Sequence, residues 1–439
     1  MARNLVFLHL ESISNTILWQ YRVELGTVWR MANESLFYTR HVANATSTQM
    51  AMYDVLLGNS FINDYSSHYS DKIPYPLKWG LVSTYLRNMP EKYDFRVFYL
   101  DYYRFEDKLH GEWRVINDPQ RYLDEIWSFI TDAKNAGRPF GLLLYNEVSH
   151  MALQDAYKAS ATSFSDRFRR SYQSLDIMIG RIVAMLEELG VMDNTTIVGY
   201  GDHGDEFWSH GLNRGFCHCL PPYASLTCTP LFIYEKGAIP ATNDQLACSM
   251  DIRETVIKRL YPDYAPPAGV PPFDNAPFSG IDLNSGKREF AFSQNLYALQ
   301  LEYDDPERAL SKGYSVTDGI YRLVVTSGGG DKREGGLELF CDRLDPFNSR
   351  NLLDFFGLDP RGGIASFKPP SEAVSPEFSL MFNPLAVEAL KERYHTLKRV
   401  LYDFIREKEA AALPYSPGEP RHIMPEKVFT YARRRQRRE

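Results

Sequence analysis

The sequence predicts an α/β fold in which helices flank a mostly parallel central sheet, followed by a smaller antiparallel C-terminal subdomain. Residues 4–10 (NLVFLHL) are a near-continuous apolar run, which is typical of a strand buried on both faces of a parallel sheet. An amphipathic pattern over 165–190 leads into a second apolar run at 195–200, and this order predicts a right-handed crossover between parallel strands. From residue 288 to 341, short apolar runs alternate with turns, which favours an antiparallel sheet.

Composition sets limits on the class of protein. The chain has 439 residues, of which 44% are hydrophobic and 14% aromatic, as expected for a globular protein with a large core. A formal net charge of −7 argues against a general nucleic-acid binder. No apolar run approaches the roughly 20 residues of a membrane span, and the start MARNLVFLHLES lacks the features of a signal peptide. We therefore expect a soluble, cytoplasmic protein.

Two local features allow more than one interpretation. The C-terminal tail is basic: Arg433, Arg434, Arg435, Arg437 and Arg438. It suits peripheral contact with an anionic membrane surface, contact with nucleic acid, or a solvated terminus, and the last is the interpretation we favour. The five cysteines have no framework spacing, which favours reduced thiols. Cys217, His218, Cys219 and Cys228 resemble a structural zinc site only loosely.

Polar residues follow the first and second of the predicted buried strands, at their carboxyl ends. Glu11 ends the strand at 4–10, where it serves either as a helix cap or as a metal ligand. The strand at 140–145 (FGLLLY) is followed by Asn146, Glu147 and His150. Ligands of open α/β sheets bind beyond the carboxyl ends of the strands, so these side chains are candidates for one site.

A hydroxyl-rich helix start lies between these strands. Thr46, Ser47 and Thr48 precede an apolar stretch that Gly58 closes, which predicts a helix with a hydroxyl N-cap. Capping is one role for the hydroxyls. Because a helix N-terminus also stabilises an alkoxide or a bound anion, a nucleophile at this position is the other.

The strand at 195–200 delivers Asp202 and His203 side by side, between Gly201 and Gly204. A carboxylate and an imidazole together suit Zn²⁺ or Mn²⁺, and the glycines let backbone approach a metal or an anionic substrate closely. His210 and His218 lie in the loop that follows.

The remaining elements complete the predicted domain organisation. A short strand at 230–234 and a helix at 251–260 capped by Asp251 precede a Pro- and Gly-rich stretch, and a final helix spans 384–408. We expect a metal-binding catalytic domain over 1–286. Residues 287–439 would form the antiparallel subdomain, its closing helix and the tail. Residues 60–135 are aromatic-rich and irregular apart from a helix at about 118–136.

In this order the motifs resemble the sulfatase branch of the alkaline phosphatase superfamily over about residues 4–355. The first strand with its acid (NLVFLHLES), the helix from Thr48 to Gly58 and the strand LLLYNEVSH match the family pattern. The Asp-His-Gly block after the long helix and the segment ELFCDRLDPFNSRNLLD match it as well. The resemblance implies the family fold and a metal-dependent activity on anionic esters.

One departure from typical sulfatases concerns the nucleophile. The Cys or Ser signature that is oxidised to formylglycine is missing, and the nucleophile position falls on Thr48, with Thr46 and Ser47 as neighbouring alternatives. The set of Glu11, Thr48, Asp202 and His203 is similar to that of lipoteichoic acid synthases and phosphoethanolamine transferases. By this resemblance the four residues bind one Mn²⁺ or Zn²⁺.

The resemblance implies transfer or cleavage of a phosphate-ester group, of the phosphoglycerol or phosphoethanolamine type, through a covalent threonine intermediate. His150, His210 and His218 are candidates for binding substrate oxygens or protonating the leaving group, and Asn146 is a candidate substrate contact. Asn146 or Glu147 with His150 would contribute to a second metal site. The alternatives are a sulfuric ester hydrolase without formylglycine and a non-catalytic binder of an anionic glycan or lipid headgroup.

Overall fold

The structure, a computed structural model, describes residues 3–48, 51–52, 55, 93–100, 109–110, 113–150, 163–207, 210, 216–218, 220–264, 280–295, 313–326, 328–329, 333–334, 336–359, 363–367 and 384–410. The basic tail, Gly58 and Cys219 lie outside these residues.

A nine-stranded sheet forms the centre of the described chain. In spatial order its strands are β11 (Ala241–Cys248), β2 (Leu36–Val42), β10 (Leu231–Glu235), β7 (Thr195–Gly201), β1 (Asn4–Leu10), β6 (Phe140–Asn146), β3 (Asp94–Leu100), β5 (Trp113–Ile116) and β4 (Leu109–His110). Strand β1 lies in the middle and pairs in parallel with both β6 and β7. The predicted mostly parallel sheet is therefore confirmed. Two antiparallel strands interrupt it, since β10 runs against β7 and β2 while β4 runs against β5.

Helices cover both faces of this sheet. The described helices are α1 (Asn15–Gln20), α2 (Gly26–Asn33), α3 (Pro119–Asn135), α4 (Phe164–Glu188), α5 (Ala224–Thr227), α6 (Asp251–Leu260) and α7 (Pro384–Ala410). Successive side chains of β1 alternate between two apolar cores: Val6 and Leu8 pack on one face, and Leu5 and Phe7 on the other. Burial on both faces explains why β1 is apolar along its length.

A separate antiparallel sheet follows, as predicted from the change of pattern after residue 288. Its order is β12 (Ala291–Asn295), β13 (Gly313–Thr317), β14 (Tyr321–Thr326) and β17 (Leu337–Cys341), and α7 packs in its core. The remaining described strands form two-stranded pairs: β8 (Glu206–Phe207) with β9 (Phe216–Cys217), β15 (Gly328–Gly329) with β16 (Arg333–Glu334), and β18 (Phe356–Leu358) with β19 (Ile364–Phe367).

The small sheet contacts the segment that carries Thr48. Ala45 bridges to Gln294, and the Asn44 side chain donates to the Phe292 carbonyl. The Ser293 hydroxyl donates to the Ala43 carbonyl at 2.6 Å. The C-terminal region thus supports the segment that carries Thr48, while the boundary at residue 286 stays a prediction.

Several sequence predictions need correction. Strands β2, β11 and β3 are missing from the sequence interpretation, and β3 lies in the stretch that was expected to be irregular. Their patterns mix polar with apolar residues, because edge and near-edge strands are only partly buried. Asp251 is the first residue of α6 rather than its cap, which is Met250.

No helix in the described part of the chain has the length and apolarity that crossing a membrane requires.

Candidate metal centre and active site

The site begins where β1 ends. Glu11 is completely buried, and the next residue, Ser12, has the left-handed φ of 58°. This backbone turn aims the Ser12 N–H at Asp202 Oδ1, 2.9 Å away, while the Ser12 hydroxyl donates to Glu11 Oε1 at 3.1 Å. Because β1 and β7 pair in register, the two acids meet at the same edge of the sheet.

The Asp202–His203 pair follows β7 without a gap. Both residues are completely buried, and the His203 N–H donates to Asp202 Oδ1 at 2.8 Å. His203 Nδ1 lies 2.9 Å from the Gly204 carbonyl, so its Nε2 is the nitrogen that faces the acids, 3.3 Å from Asp202 Oδ2 and 3.8 Å from Glu11 Oε1.

The two glycines around this pair are required by close packing. A Cβ atom at Gly201 would lie 2.2 Å from the Ile13 carbonyl oxygen, and one at Gly204 would lie 2.1 Å from the Ser225 carbonyl oxygen. Backbone atoms cannot move aside cheaply, so glycine is the residue that fits at both positions.

Thr48 stands apart from its two hydroxyl neighbours. It is the first residue of a helical turn, and its Oγ1 lies 3.2 and 3.1 Å from the two carboxylate oxygens of Glu11 and 3.1 Å from His203 Nε2. The Thr46 hydroxyl instead donates to the Leu220 carbonyl, and Ser47 Oγ has no hydrogen-bond partner among the described residues. The structure therefore brings together Glu11, Thr48, Asp202 and His203, as the sequence predicted.

A fifth residue of this cluster was missed at the sequence level. His9 is buried two residues before Glu11, with Nε2 at 3.2 Å from Asp202 Oδ2 and 3.5 Å from Glu11 Oε2. The signal was the spacing: residues two apart on a strand share a face, so His9 and Glu11 lie on the same side of β1.

The donor set fits a divalent metal ion. Asp202 Oδ2 and His9 Nε2 are buried without a hydrogen-bond partner among the described residues, although buried polar atoms are normally paired. One ligand atom from each of His9, Glu11 and Asp202 lies within 4.8 Å of the others. Burial raises the pKa of Glu11, but its contacts with His9, His150 and His203 outweigh burial and hold this pKa well below its ordinary value. A buried, ionised carboxylate beside imidazole nitrogens suits Zn²⁺ or Mn²⁺.

Two further predicted histidines border the cluster. The His218 ring centroid lies 4.4 Å from that of His203 and 4.9 Å from that of His150. His218 Nδ1 is 3.0 Å from Asp205 Oδ1, and Asp205 is a buried carboxylate that the sequence analysis did not single out. Burial lowers the pKa of His150 to about 4, so this ring is neutral at neutral pH.

His210 is held by other groups. Its ring stacks on Tyr223 with centroids 3.6 Å apart, Nε2 lies 2.7 Å from the Asn348 carbonyl oxygen, and Nδ1 lies 3.0 Å from Glu206 Oε2. The Nε2 contact joins the loop to the C-terminal region, and Glu206 lies beside Nδ1. The structure thus gives His210 a structural setting, and its predicted catalytic or substrate-binding role stays a prediction.

Asn146 and Glu147 lie at the end of β6, as expected. Asn146 Oδ1 accepts the Val148 N–H at 3.0 Å, whereas its Nδ2 has no partner among the described residues. Glu147 accepts hydrogen bonds from the hydroxyls of Tyr99 and Tyr145. Both tyrosine hydroxyls donate to the same oxygen, Glu147 Oε1. The predicted second metal site at Asn146, Glu147 and His150 stays a prediction.

The comparisons with known proteins agree with this geometry. The sequence model of the sulfatase family matches residues 3–260, which is more than half of the chain, so the protein belongs to the sulfatase family. This confirms the predicted family. The nearer resemblance to lipoteichoic acid synthases and phosphoethanolamine transferases stays a prediction.

Curated relatives match over a limited region. The chain is similar to N-acetylgalactosamine-6-sulfatase of Canis lupus familiaris, with 26% identity over 174 residues, which cover 38% of this chain and 32% of the relative. Arylsulfatase A of Homo sapiens is 27% identical over 176 residues, which cover 37% of this chain and 32% of the relative. The matches thus span about a third of the length of these relatives.

Solved structures share the fold over most of the chain. A protein solved in complex with its substrate D-glucosamine-2-N,6-O-disulfate has a TM-score of 0.56 at 12% identity and covers 93% of this chain and 99% of its own. A sulfatase from Pseudoalteromonas sp. has a TM-score of 0.55 at 14% identity, covering 91% of each chain. A protein of the alkaline phosphatase superfamily from Vibrio parahaemolyticus has a TM-score of 0.50 at 13% identity, covering 80% of this chain and 86% of its own.

Proposed function

We propose that the protein is a metal-dependent hydrolase of an anionic ester in which Thr48 is the nucleophile, with a sulfate ester as the first candidate substrate. The observation that carries this proposal is the position of Thr48 Oγ1, within 3.2 Å of both Glu11 carboxylate oxygens and of His203 Nε2. Family membership supports ester hydrolysis, and the relatives favour sulfate over the phosphoryl transfer expected from the sequence.

Glu11, Thr48, Asp202 and His203 would hold the divalent ion, Mn²⁺ or Zn²⁺. When bound, such an ion supplies Lewis-acid polarisation of the ester and lowers the pKa of a neighbouring hydroxyl. Glu11 accepts a hydrogen bond from Thr48 Oγ1 and so orients the hydroxyl. The buried position of Thr48, 8% exposed, keeps bulk water from competing with the substrate.

The reaction runs in two displacements. Thr48 Oγ1 attacks the sulfur or phosphorus and gives up its proton, its new bond forms as the bond to the leaving alkoxide breaks, and the proton passes to that alkoxide. A second acceptor then attacks the same atom, the bond to Thr48 breaks, and the threonine hydroxyl recovers its proton. His150 and His218 border the cluster and are the side chains we assign to proton transfer and substrate oxygens, with Asn146 Nδ2 as a further donor.

Phosphate esters are the second candidate substrate class, and the identity of the nucleophile favours them. Threonine carries a methyl group on Cβ, so oxidation there would yield a ketone and not the aldehyde of formylglycine. The hydroxyl itself must attack, and the resulting threonine ester must be displaced by water or by an alcohol. An alcohol acceptor would make the enzyme a phosphotransferase acting on a glycan- or lipid-derived substrate.

The test is a turnover assay on metal-loaded protein with p-nitrophenyl sulfate, p-nitrophenyl phosphate and bis-p-nitrophenyl phosphate. We expect Thr48→Ala to reduce turnover by roughly 10³-fold or more, as removal of a nucleophile does. Thr46→Ala is the matched control, since that hydroxyl faces the Leu220 carbonyl, and it should retain turnover. Peptide mass spectrometry on trapped protein should locate a sulfate or phosphate adduct on Thr48.

The outcomes separate the candidates. Thr48-dependent turnover of the sulfate alone supports the first candidate, and turnover of a phosphate ester supports the second. Loss of turnover in Thr46→Ala, with Thr48→Ala active, would contradict the assignment of the nucleophile. Full affinity for an anionic glycan with no turnover and no adduct would favour a binding protein.

A further inference from the structure

His9 lies in an enclosed polar and aromatic setting that the four-residue set does not require. Its Nδ1 is 2.9 Å from the Tyr200 hydroxyl. The Tyr145 and Tyr200 rings meet the imidazole edge-on, with centroids 4.6 and 5.2 Å away. These contacts hold the ring between the two tyrosines.

The other nitrogen of His9 points to the acids. His9 Nε2 lies 3.2 Å from Asp202 Oδ2 and 3.5 Å from Glu11 Oε2, yet neither it nor Asp202 Oδ2 forms a hydrogen bond with the described residues. Three buried ligand atoms therefore converge without satisfying one another, and this is the arrangement that a cation would complete.

We propose that His9 Nε2 is a further protein ligand of the same divalent ion, an inference that rests on the metal dependence of the proposed function. The centre then contains two imidazoles, from His9 and His203, beside the carboxylates of Glu11 and Asp202. With Nε2 bound to the ion, Nδ1 carries the proton and donates to the Tyr200 hydroxyl 2.9 Å away, as metal-binding histidines donate to an outer partner. Two imidazoles favour Zn²⁺ and disfavour Ca²⁺ and Mg²⁺, which prefer all-oxygen ligands.

The competing interpretation is that a protonated His9 holds the two carboxylates together without contributing to metal binding. That role needs N–H donation to a carboxylate oxygen with good geometry. His9 Nε2 lies 3.2 Å from Asp202 Oδ2 and 3.5 Å from Glu11 Oε2, but its N–H is not aligned for a hydrogen bond with either oxygen. A ligand role requires only that the lone pairs point to a common centre.

The experiment measures metal binding directly, without turnover. Zinc affinity is obtained by chelator competition for the full chain and for His9→Gln, with His41→Gln as the matched control. His41 is another fully buried histidine, on β2, whose Nδ1 faces Thr229. We expect His9→Gln to bind zinc at least about tenfold more weakly, a loss of the size seen when metal-site partners are removed, and His41→Gln to bind as the wild type does.

X-ray absorption at the zinc edge and a second variant keep the proposal open to refutation. The wild type should show at least two imidazole ligands, and His9→Gln one fewer. In His9→Cys, cobalt loading should produce a thiolate-to-metal charge-transfer band. One imidazole in the wild type, unchanged zinc affinity in folded His9→Gln, or no such band in folded His9→Cys would overturn the role of His9 alone. A wild type that binds no divalent ion would overturn the proposed function as well.

Discussion

Two buried aspartates, Asp202 and Asp251, are both fully excluded from solvent but have opposite surroundings. The Asp251 carboxylate accepts the N–H groups of Cys248 and Ile281 and forms an ion pair with Arg288. At Asp202, Oδ1 accepts the Ser12 and His203 N–H groups, but Oδ2 has no hydrogen-bond partner among the described residues.

The difference separates a structural acid from a proposed metal ligand. Asp251 has each carboxylate oxygen satisfied and its charge neutralised by a guanidinium, so it joins α6 to the start of the small sheet. Asp202 faces Glu11 and the unpartnered Nε2 of His9 instead of a cation. A protein that keeps such a group buried gives up folding stability for a binding site.

The largest expected effect follows from removing each aspartate in turn. Asp251→Ala should reduce the free energy of unfolding by about 3–5 kcal/mol, because Arg288 is left as a buried, unpaired charge. Asp202→Ala in metal-free protein should reduce it less, because it leaves the N–H donors of Ser12 and His203 without an acceptor but leaves no buried guanidinium without a partner. Urea unfolding in EDTA measures both, and equal losses would contradict the comparison.

The second prediction concerns the pH dependence of stability that arises from His41, which is buried and interacts electrostatically with Asp251. Burial lowers the pKa of His41 to about 4. Between pH 6.5 and about 4 the unfolded chain binds a proton that the folded protein does not, so stability falls as pH falls, by at most about 3 kcal/mol. In unfolding curves across this range, His41→Gln should lack this component, whereas the exposed His395→Gln should keep it.

The third prediction concerns how much a divalent metal ion bound at Asp202 stabilises the folded protein. Free Zn²⁺ or Mn²⁺ at 100 times its dissociation constant should stabilise the wild type by about 2.7 kcal/mol. Asp202→Asn should lose most of this gain because the free oxygen is the ligand that it replaces. Thermal unfolding with and without EDTA is the measurement, and full metal stabilisation of Asp202→Asn would argue against the metal centre.

The smallest effects on the free energy of unfolding are expected at two exposed aspartates, Asp118 and Asp193. Asp118 caps α3 by accepting the Arg121 N–H at 2.6 Å, and Asp118→Ala should cost about 1 kcal/mol in unfolding free energy. Asp193 pairs with Lys236 at the surface, and its replacement by Ala should leave the unfolding midpoint unchanged within experimental error. A loss at Asp118 as large as that at Asp251 would show that burial is not the deciding factor.

Much of this site could be predicted from the sequence, because the strands that hold it are buried on both faces. Runs such as 4–10 and 195–201 are largely apolar and buried along their whole length, so the polar residues directly after them, Glu11 and Asp202, are conspicuous. His9 lies inside such a run, where a single imidazole is easily assigned to the core. Its pairing with Glu11 depends on the shared face of β1.

What the sequence determined by itself is local: strand and helix periodicity, the order of the motifs, and the residue types at the strand ends. The tertiary structure decided which of three adjacent hydroxyls faces the acids, that His210 turns to Asn348 while His218 turns to His203, and that Asp251 is neutralised whereas Asp202 is not. The physical reason is that hydrogen-bond partners come from strands and loops far apart in the chain. Only their packing fixes which polar atoms are satisfied and which remain available to a ligand.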